Sequence, residues 1–151
     1  LPLDEALLVR FFTDVFENYH ERMAFGPLIP GAAYELKAPC RPVSVELSNG
    51  YLTIHWGTRG HFHLCVGEVR GAGGKPAPAQ VVAHQRPGRA EFYRRLDRNG
   101  LPTSWGFRMF NGHGEPQITL MFPNPYVTDD DRVTDVPDWS RLAAWKALLP
   151  R

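Results

Sequence analysis

Three histidines and a cysteine fall in the eleven-residue stretch "HWGTRGHFHLC": His55, His61, His63 and Cys65. Imidazole and thiolate are the donors that zinc and copper prefer. A zinc site needs three or four of them, each about 2.0 to 2.3 Å from the ion. The two-residue spacing of His61, His63 and Cys65 puts them on one face if the segment is a strand, since side chains alternate there. The same face of a neighbouring strand would carry Ser44 and Glu46. Glu46 is placed to orient a ligating imidazole or to act as a base on metal-bound water. The pattern has a plainer explanation too. Histidine and cysteine pack well on a half-buried sheet face that a helix or a second subunit covers. A catalytic role for Cys65 would need a lowered thiol pKa. A nearby histidine could lower it, but no third group is placed by the sequence.

Two hairpins must position this cluster. "VSVELSNGYLTIHW" alternates with period two around Asn49-Gly50, the strongest short hairpin signal. A two-residue loop pairs Ser48 with Tyr51, Leu47 with Leu52, Val45 with Ile54 and Val43 with Trp56. The next turn, "GTRGH", has two solutions. A two-residue loop pairs Trp56 with His61 and mixes the histidines with Ile54 and Leu52. A three-residue loop with Gly60 in the left-handed region pairs Gly57 with His61 and Trp56 with Phe62. The second gathers Leu52, Ile54, Trp56, Phe62, Leu64 and Val66 on one face, and the apolar pattern favours it. It sets His55 opposite His63, with Thr53, His61 and Cys65 on the same side.

The remaining chain supplies the frame. Residues 4–25 carry apolar side chains at spacings of three and four, from Leu7 to Met23, which predicts a helix stopped by Gly26-Pro27. "RGAGGKPAPAQ" has the composition of a surface loop. "VVAHQ" is a short strand candidate. "GRAEFYRRLDRNG" predicts a middle helix with Phe92 and Leu96 inward. "TSWGFRMF" and "EPQITLMF" alternate about "NGHG" as a further hairpin. "DWSRLAAWKALL", residues 138–149, predicts a C-terminal helix with a stripe of Trp139, Leu142, Trp145 and Leu149. These elements predict one α+β domain over residues 1–151. Its sheet is largely antiparallel, built of hairpins and flanked by N-terminal, middle and C-terminal helices.

Arg86, Arg89, Arg94, Arg95 and Arg98 form a local basic cluster. Arg94 and Arg95 are candidates to grip a phosphate or carboxylate of a bound ligand. His113, at the predicted tip "NGHGE", is a candidate distal ligand. His84 reads as a packed or surface residue. His20, late in the first helix, suits the negative end of the dipole. "DDD" at 129–131 lacks the spaced oxygens and glycine of a calcium loop. There is no phosphate loop, dinucleotide fingerprint, Gly-x-Ser-x-Gly or CxxC. A net charge of +1 sets up no global field for nucleic acid or an anionic membrane. No apolar run approaches the roughly 18 residues of a membrane helix. Two cysteines, Cys40 and Cys65, are too few for a disulfide scaffold, and reduced thiols point to the cytoplasm. The chain begins at Leu1 rather than Met, which fits a trimmed precursor.

The second half, about residues 50–149, resembles bacterial haem-utilisation and haem-trafficking proteins. The matching segments are "GYLTIHW…HFHLCVG", "SWGFRMFNGHGEPQITLMF" and "WSRLAAWKALL". Phe110, Asn111 and Gly114 fit that family's hairpin turn. The resemblance implies an antiparallel sheet that holds haem against one face, with a histidine on iron and arginines near the propionates. It assigns no particular histidine.

Three roles follow as expectations. One is a ligand-binding protein holding zinc, copper or haem iron through His55, His61, His63 and Cys65. The second is a metal-dependent enzyme built on the same residues. The third is an interaction module, such as a homodimer, in which the histidines are structural.

Overall fold

The computed structural model describes residues 1–150. Helix α1 (Glu5–Asn18) starts where Asp4 accepts a hydrogen bond from the Leu7 N–H (2.9 Å), a side-chain cap on the free amides of the first turn. It ends at Asn18, well before residue 25. A single 3-10 turn, His20–Arg22, follows, and then the chain becomes strand β1 (Ala24–Gly26). Met23 and Phe25 are still buried, but from extended backbone. The predicted helix therefore merged two elements that contribute to one apolar core.

After a short ribbon of β2 (Leu28–Ile29) and β3 (Ala32–Ala33), the chain enters β4 (Ser44–Ser48) and β5 (Tyr51–His55). Asn49 and Gly50 connect these with positive φ values of 53° and 80°. The pairs are the expected ones, Ser48 with Tyr51, Leu47 with Leu52 and Val45 with Ile54. Strand β6 (His61–Cys65) completes a three-stranded sheet in the order β4-β5-β6.

The next two elements exchange the types the sequence suggested. "VVAHQ" lies in a helix, α2 (Ala79–Gln85), rather than a strand. "PGRAEFYRRL" is strand β7 (Pro87–Leu96), rather than the middle helix. Alternation explains the latter. Ala90 and Phe92 face the core while Glu91 and Tyr93 face away, and one edge of the strand pairs with β8 (Pro102–Asn111) along nearly its whole length. Strand β9 (Pro116–Phe122) returns beside β8, and β1 adds to its far edge, giving the order β1-β9-β8-β7. The C-terminal segment is a 3-10 turn, Trp139–Leu142, running into α3 (Ala143–Leu148). Leu142, Ala144 and Leu148 are buried, whereas Trp139 is exposed and meets Trp105 and Tyr126 edge-on.

One aromatic helix face unites the two large sheets. Phe11 and Phe12 of α1 pack on Phe107 of β8. One turn later Phe16 packs on Phe25, Trp56 and Phe62. Leu52, Ile54 and Leu64 from the small sheet join Met109, Ile118 and Leu120 from the large one in a single core. This is an α+β domain with antiparallel sheets. Among the described residues, no helix is long and apolar enough to cross a membrane.

Candidate functional site

The turn after β5 fixes the histidine cluster. Gly57–Arg59 forms a 3-10 turn, and the Trp56 N–H donates to the Gly60 carbonyl (2.9 Å). This bond encloses three residues, as in the favoured solution, but one position earlier in the chain, 57–59 rather than 58–60. The register pairs His55 with His61, Ile54 with Phe62 and Thr53 with His63. His55 therefore does not face His63. The parity is unchanged, so the expected faces survive: apolar side chains point to the core and the histidines point outward.

Across the outer face run three rows. Ser44, His55 and His61 form the first, Glu46, Thr53 and His63 the second, and Ser48, Tyr51 and Cys65 the third. The imidazoles of His61 and His63 meet edge-on at 4.7 Å between centroids, and those of His55 and His61 lie nearly parallel at 5.9 Å. The hydrogen bonds sort these rings chemically. His55 Nδ1 accepts from the Gly57 N–H (3.1 Å), so its neutral form carries the proton on Nε2 and has no lone pair to offer. His63 Nδ1 lies 2.8 Å from Thr53 Oγ1. With the proton on Nδ1, His63 donates to that hydroxyl and leaves Nε2 open, the arrangement typical of a metal-binding histidine. Glu46 is one strand further away, and Thr53 occupies the place beside His63 that Glu46 was expected to fill.

Cys65 has a different environment. Its thiol is buried and donates to the Gly67 carbonyl (3.4 Å). Burial pushes its pKa up, against the lowering effect of the Gly67 bond, and Glu5 raises it further. The neighbouring Tyr51 hydroxyl, likewise raised by burial, donates to Gln85 Oε1 (2.9 Å) and ties this row to α2. Cys65 and Cys40 are both free thiols. Among the described residues, no three histidine, cysteine, aspartate or glutamate side chains stand in metal-ligand geometry.

The other candidates lie elsewhere. Arg94 and Arg95 are exposed near the end of β7, opposite Trp105 and Ser104, on the large sheet rather than the small one. With β7 a strand, the expected arginine-bearing helix is absent and its charges alternate between two faces. Arg89 and Arg108 share the outer face and lie over the Phe110 ring at 4.2 and 5.5 Å, with Glu91 bonded to Arg108 (2.6 Å). His113, at the β8–β9 tip, stacks on His84 at the end of α2, with centroids 4.2 Å apart and planes 11° from parallel.

A recess on the other side of the molecule was not anticipated from sequence. A cleft of about 970 Å³ opens between the C-terminal end of α1, the β1–β9 edge, residues 123–131 and α3. Arg141 lines it, with a side chain 19% exposed whose Nη1 donates to Asp129 Oδ1 (2.6 Å). Its Nε is buried without a partner. Hydrogen bonds from Ser140 hold the Asp138 carboxyl below its usual range, so it stays charged at neutral pH. The lining comes from four separated stretches of chain, and no local motif marks it. The "DDD" run is the one local signal, since Asp129 and Asp131 both reach the rim.

No curated protein matches the chain. Over residues 1–151 the sequence matches a family of unknown function, and the chain belongs to that family, DUF7676.

Proposed function

We propose that this protein binds a small polar molecule, neutral or cationic, in the cleft beside α3. The observation that carries this is the cleft's size together with its charge. Its volume falls in the range of about 300 to 1,000 Å³ usual for small-ligand sites. Glu21, Glu35, Asp129, Asp131 and Asp138 line it, against Arg22, Lys37 and Arg141. That excess of carboxylates repels a polyanion and suits an amine or a polyhydroxylated ligand. Arg141, with little water around it, offers a fixed guanidinium to one oxygen group of such a ligand. The test is a screen of cationic, neutral and anionic small molecules by amide chemical shifts. Hits should be amines or polyols, move the signals of residues 121–129 and 138–147, and disappear in Ala147→Trp, which fills the cleft from an exposed position. Hits confined to polyanions, or unaffected by that substitution, would exclude this role.

A transition-metal site on the small sheet is favoured by one specific observation, the Thr53–His63 bond, which with the proton on Nδ1 leaves His63 Nε2 open on a ring that meets His61 edge-on. The donors would be His61 and His63, completed by water or by an external group. A bare ion is preferred to haem, because Ser44, Glu46 and Thr53 make this face polar and haem needs apolar cover. Elemental analysis of untagged protein is the test. Zinc or copper retained by the native protein and lost in His63→Ala supports the site, and protein that neither carries nor takes up metal removes it.

A further inference from the structure

The pairing of His84 with His113 brings a third group with it. His84 Nε2 lies 2.5 Å from Glu115 Oε2, and Asn111 Nδ2 donates to the same oxygen (2.7 Å). The three side chains come from two elements that the backbone locks together. The Gly112 N–H donates to the His84 carbonyl (3.1 Å), so the hairpin tip is bonded to the end of α2. The contact is close: a Cβ on Gly112 would stand 2.0 Å from the Ala83 carbonyl oxygen. The tip is also rigid from within. Asn111 Oδ1 accepts from the N–H groups of His113 (3.0 Å) and Glu115 (2.9 Å).

From this arrangement we propose a second, independent metal site, for a borderline divalent ion such as Zn²⁺, held by His84, His113 and Glu115. Two imidazoles and one carboxylate are a donor set that such ions accept, with water in the remaining position. The ion takes the place of the proton now shared between His84 Nε2 and Glu115 Oε2. A neutral His84 keeps its proton on Nδ1 instead, and a charged one loses one proton to solvent. In the apo arrangement the rings stack, so their lone pairs do not yet converge. His113 is exposed at the tip, and its ring has to tilt to bring a nitrogen to the ion. Glu115 needs no such change, since Asn111 Nδ2 already holds its carboxyl oxygen and Asn111 Oδ1 its backbone N–H. Asn111 then orients the ligating carboxylate from behind.

The site would staple a weak element. Helix α2 has seven residues and no fully buried side chain. It covers the Tyr51–Cys65 end of the small sheet through Gln85, which accepts from Tyr51 and, at its carbonyl, from Gln117 Nε2 (2.8 Å). Metal at His84 would therefore slow opening of α2.

The experiment titrates Zn²⁺ into untagged protein against a chromophoric chelator and follows amide exchange in α2. His113→Ala and Glu115→Gln are the variants, since both residues are exposed and their loss leaves the core intact. A His61→Ala/His63→Ala double variant controls for the sheet face. The expected result is one ion per chain in the double variant, bound roughly tenfold or more weakly once His113→Ala or Glu115→Gln is added to it, with α2 exchange slowed by the metal. Equal affinity in all proteins, binding already lost in the double variant, or no binding at all would overturn the proposal.

Discussion

Phe16→Ala tests whether α1 is the element that makes one unit of two sheets. Phe16 is 0% exposed and touches Phe25 of the large sheet and both Trp56 and Phe62 of the small one. Truncating a buried phenylalanine costs about 3 to 5 kcal/mol, since the cavity closes only in part. The lost ring contacts, edge-to-face at 5.0 Å with Phe25 and 5.9 Å with Trp56, place this residue toward the upper end, about 4 to 5 kcal/mol. Domains of this kind have about 5 to 15 kcal/mol in total, so the variant should fold only marginally. At about 2 to 4 °C per kcal/mol for this chain length, its Tm should fall by about 8 to 20 °C. Urea unfolding followed by tryptophan fluorescence and far-UV dichroism measures the change, with Phe62→Ala, at a half-buried position, as the milder comparison. The two probes should move together. A loss under about 2 kcal/mol, or a separate early transition of the small sheet, would show that α1 does not couple the sheets as described.

Gly50→Ala should destabilise by about 2 kcal/mol or more. Its φ is +80°, and the new Cβ would meet the Glu68 carbonyl oxygen at 2.4 Å; chemical denaturation reads the loss. In metal-free protein, Glu115 has a lowered pKa, so its contribution to stability is present above the ordinary carboxylate range and vanishes as pH falls through the native-state value. The stability difference between native protein and Glu115→Gln should accordingly be full at neutral pH and disappear on acidification; a difference that grows toward acid pH would contradict the assignment. Cys65, buried and with a raised pKa, should resist alkylation until the protein unfolds, while the half-buried Cys40 reacts first; mass spectrometry of the labelled peptides distinguishes the two.

The sequence carried the two-residue hairpin openly, because Asn49-Gly50 can adopt the positive φ values that few other pairs tolerate. It carried the faces of β5, β6, β8 and β9 through alternation. Residues 87–96 misled for a physical reason: Phe92 and Leu96 satisfy a helical spacing while Ala90, Phe92 and Arg94 satisfy a strand spacing. Arginine, glutamate and leucine also favour helix locally. The choice was made by β8, ten residues long and available to pair along the whole strand. α2 shows the converse, with Val81 and Val82 tolerated in a helix fastened by Gln85. At the site, residue types were legible and geometry was not. The 3-10 turn at Gly57–Arg59 shifted His55 to face His61, and a backbone amide occupied its Nδ1. The stack of His84 on His113 depends on how α2 meets a distant hairpin, which no local pattern encodes.

The position of α1 in the chain has a consequence for synthesis. Its aromatic face is complete by Asn18, yet the last strand it helps to bury ends at Phe122, about 100 residues later. At about 5 to 20 residues per second, Phe11 and Phe12 leave the ribosome about 5 to 20 seconds before their partner Phe107 on β8 exists. The nascent chain carries a ready-made greasy helix through that interval. Chaperone dependence and aggregation during expression should therefore track the exposure of this one face more closely than the equilibrium stability of the finished domain.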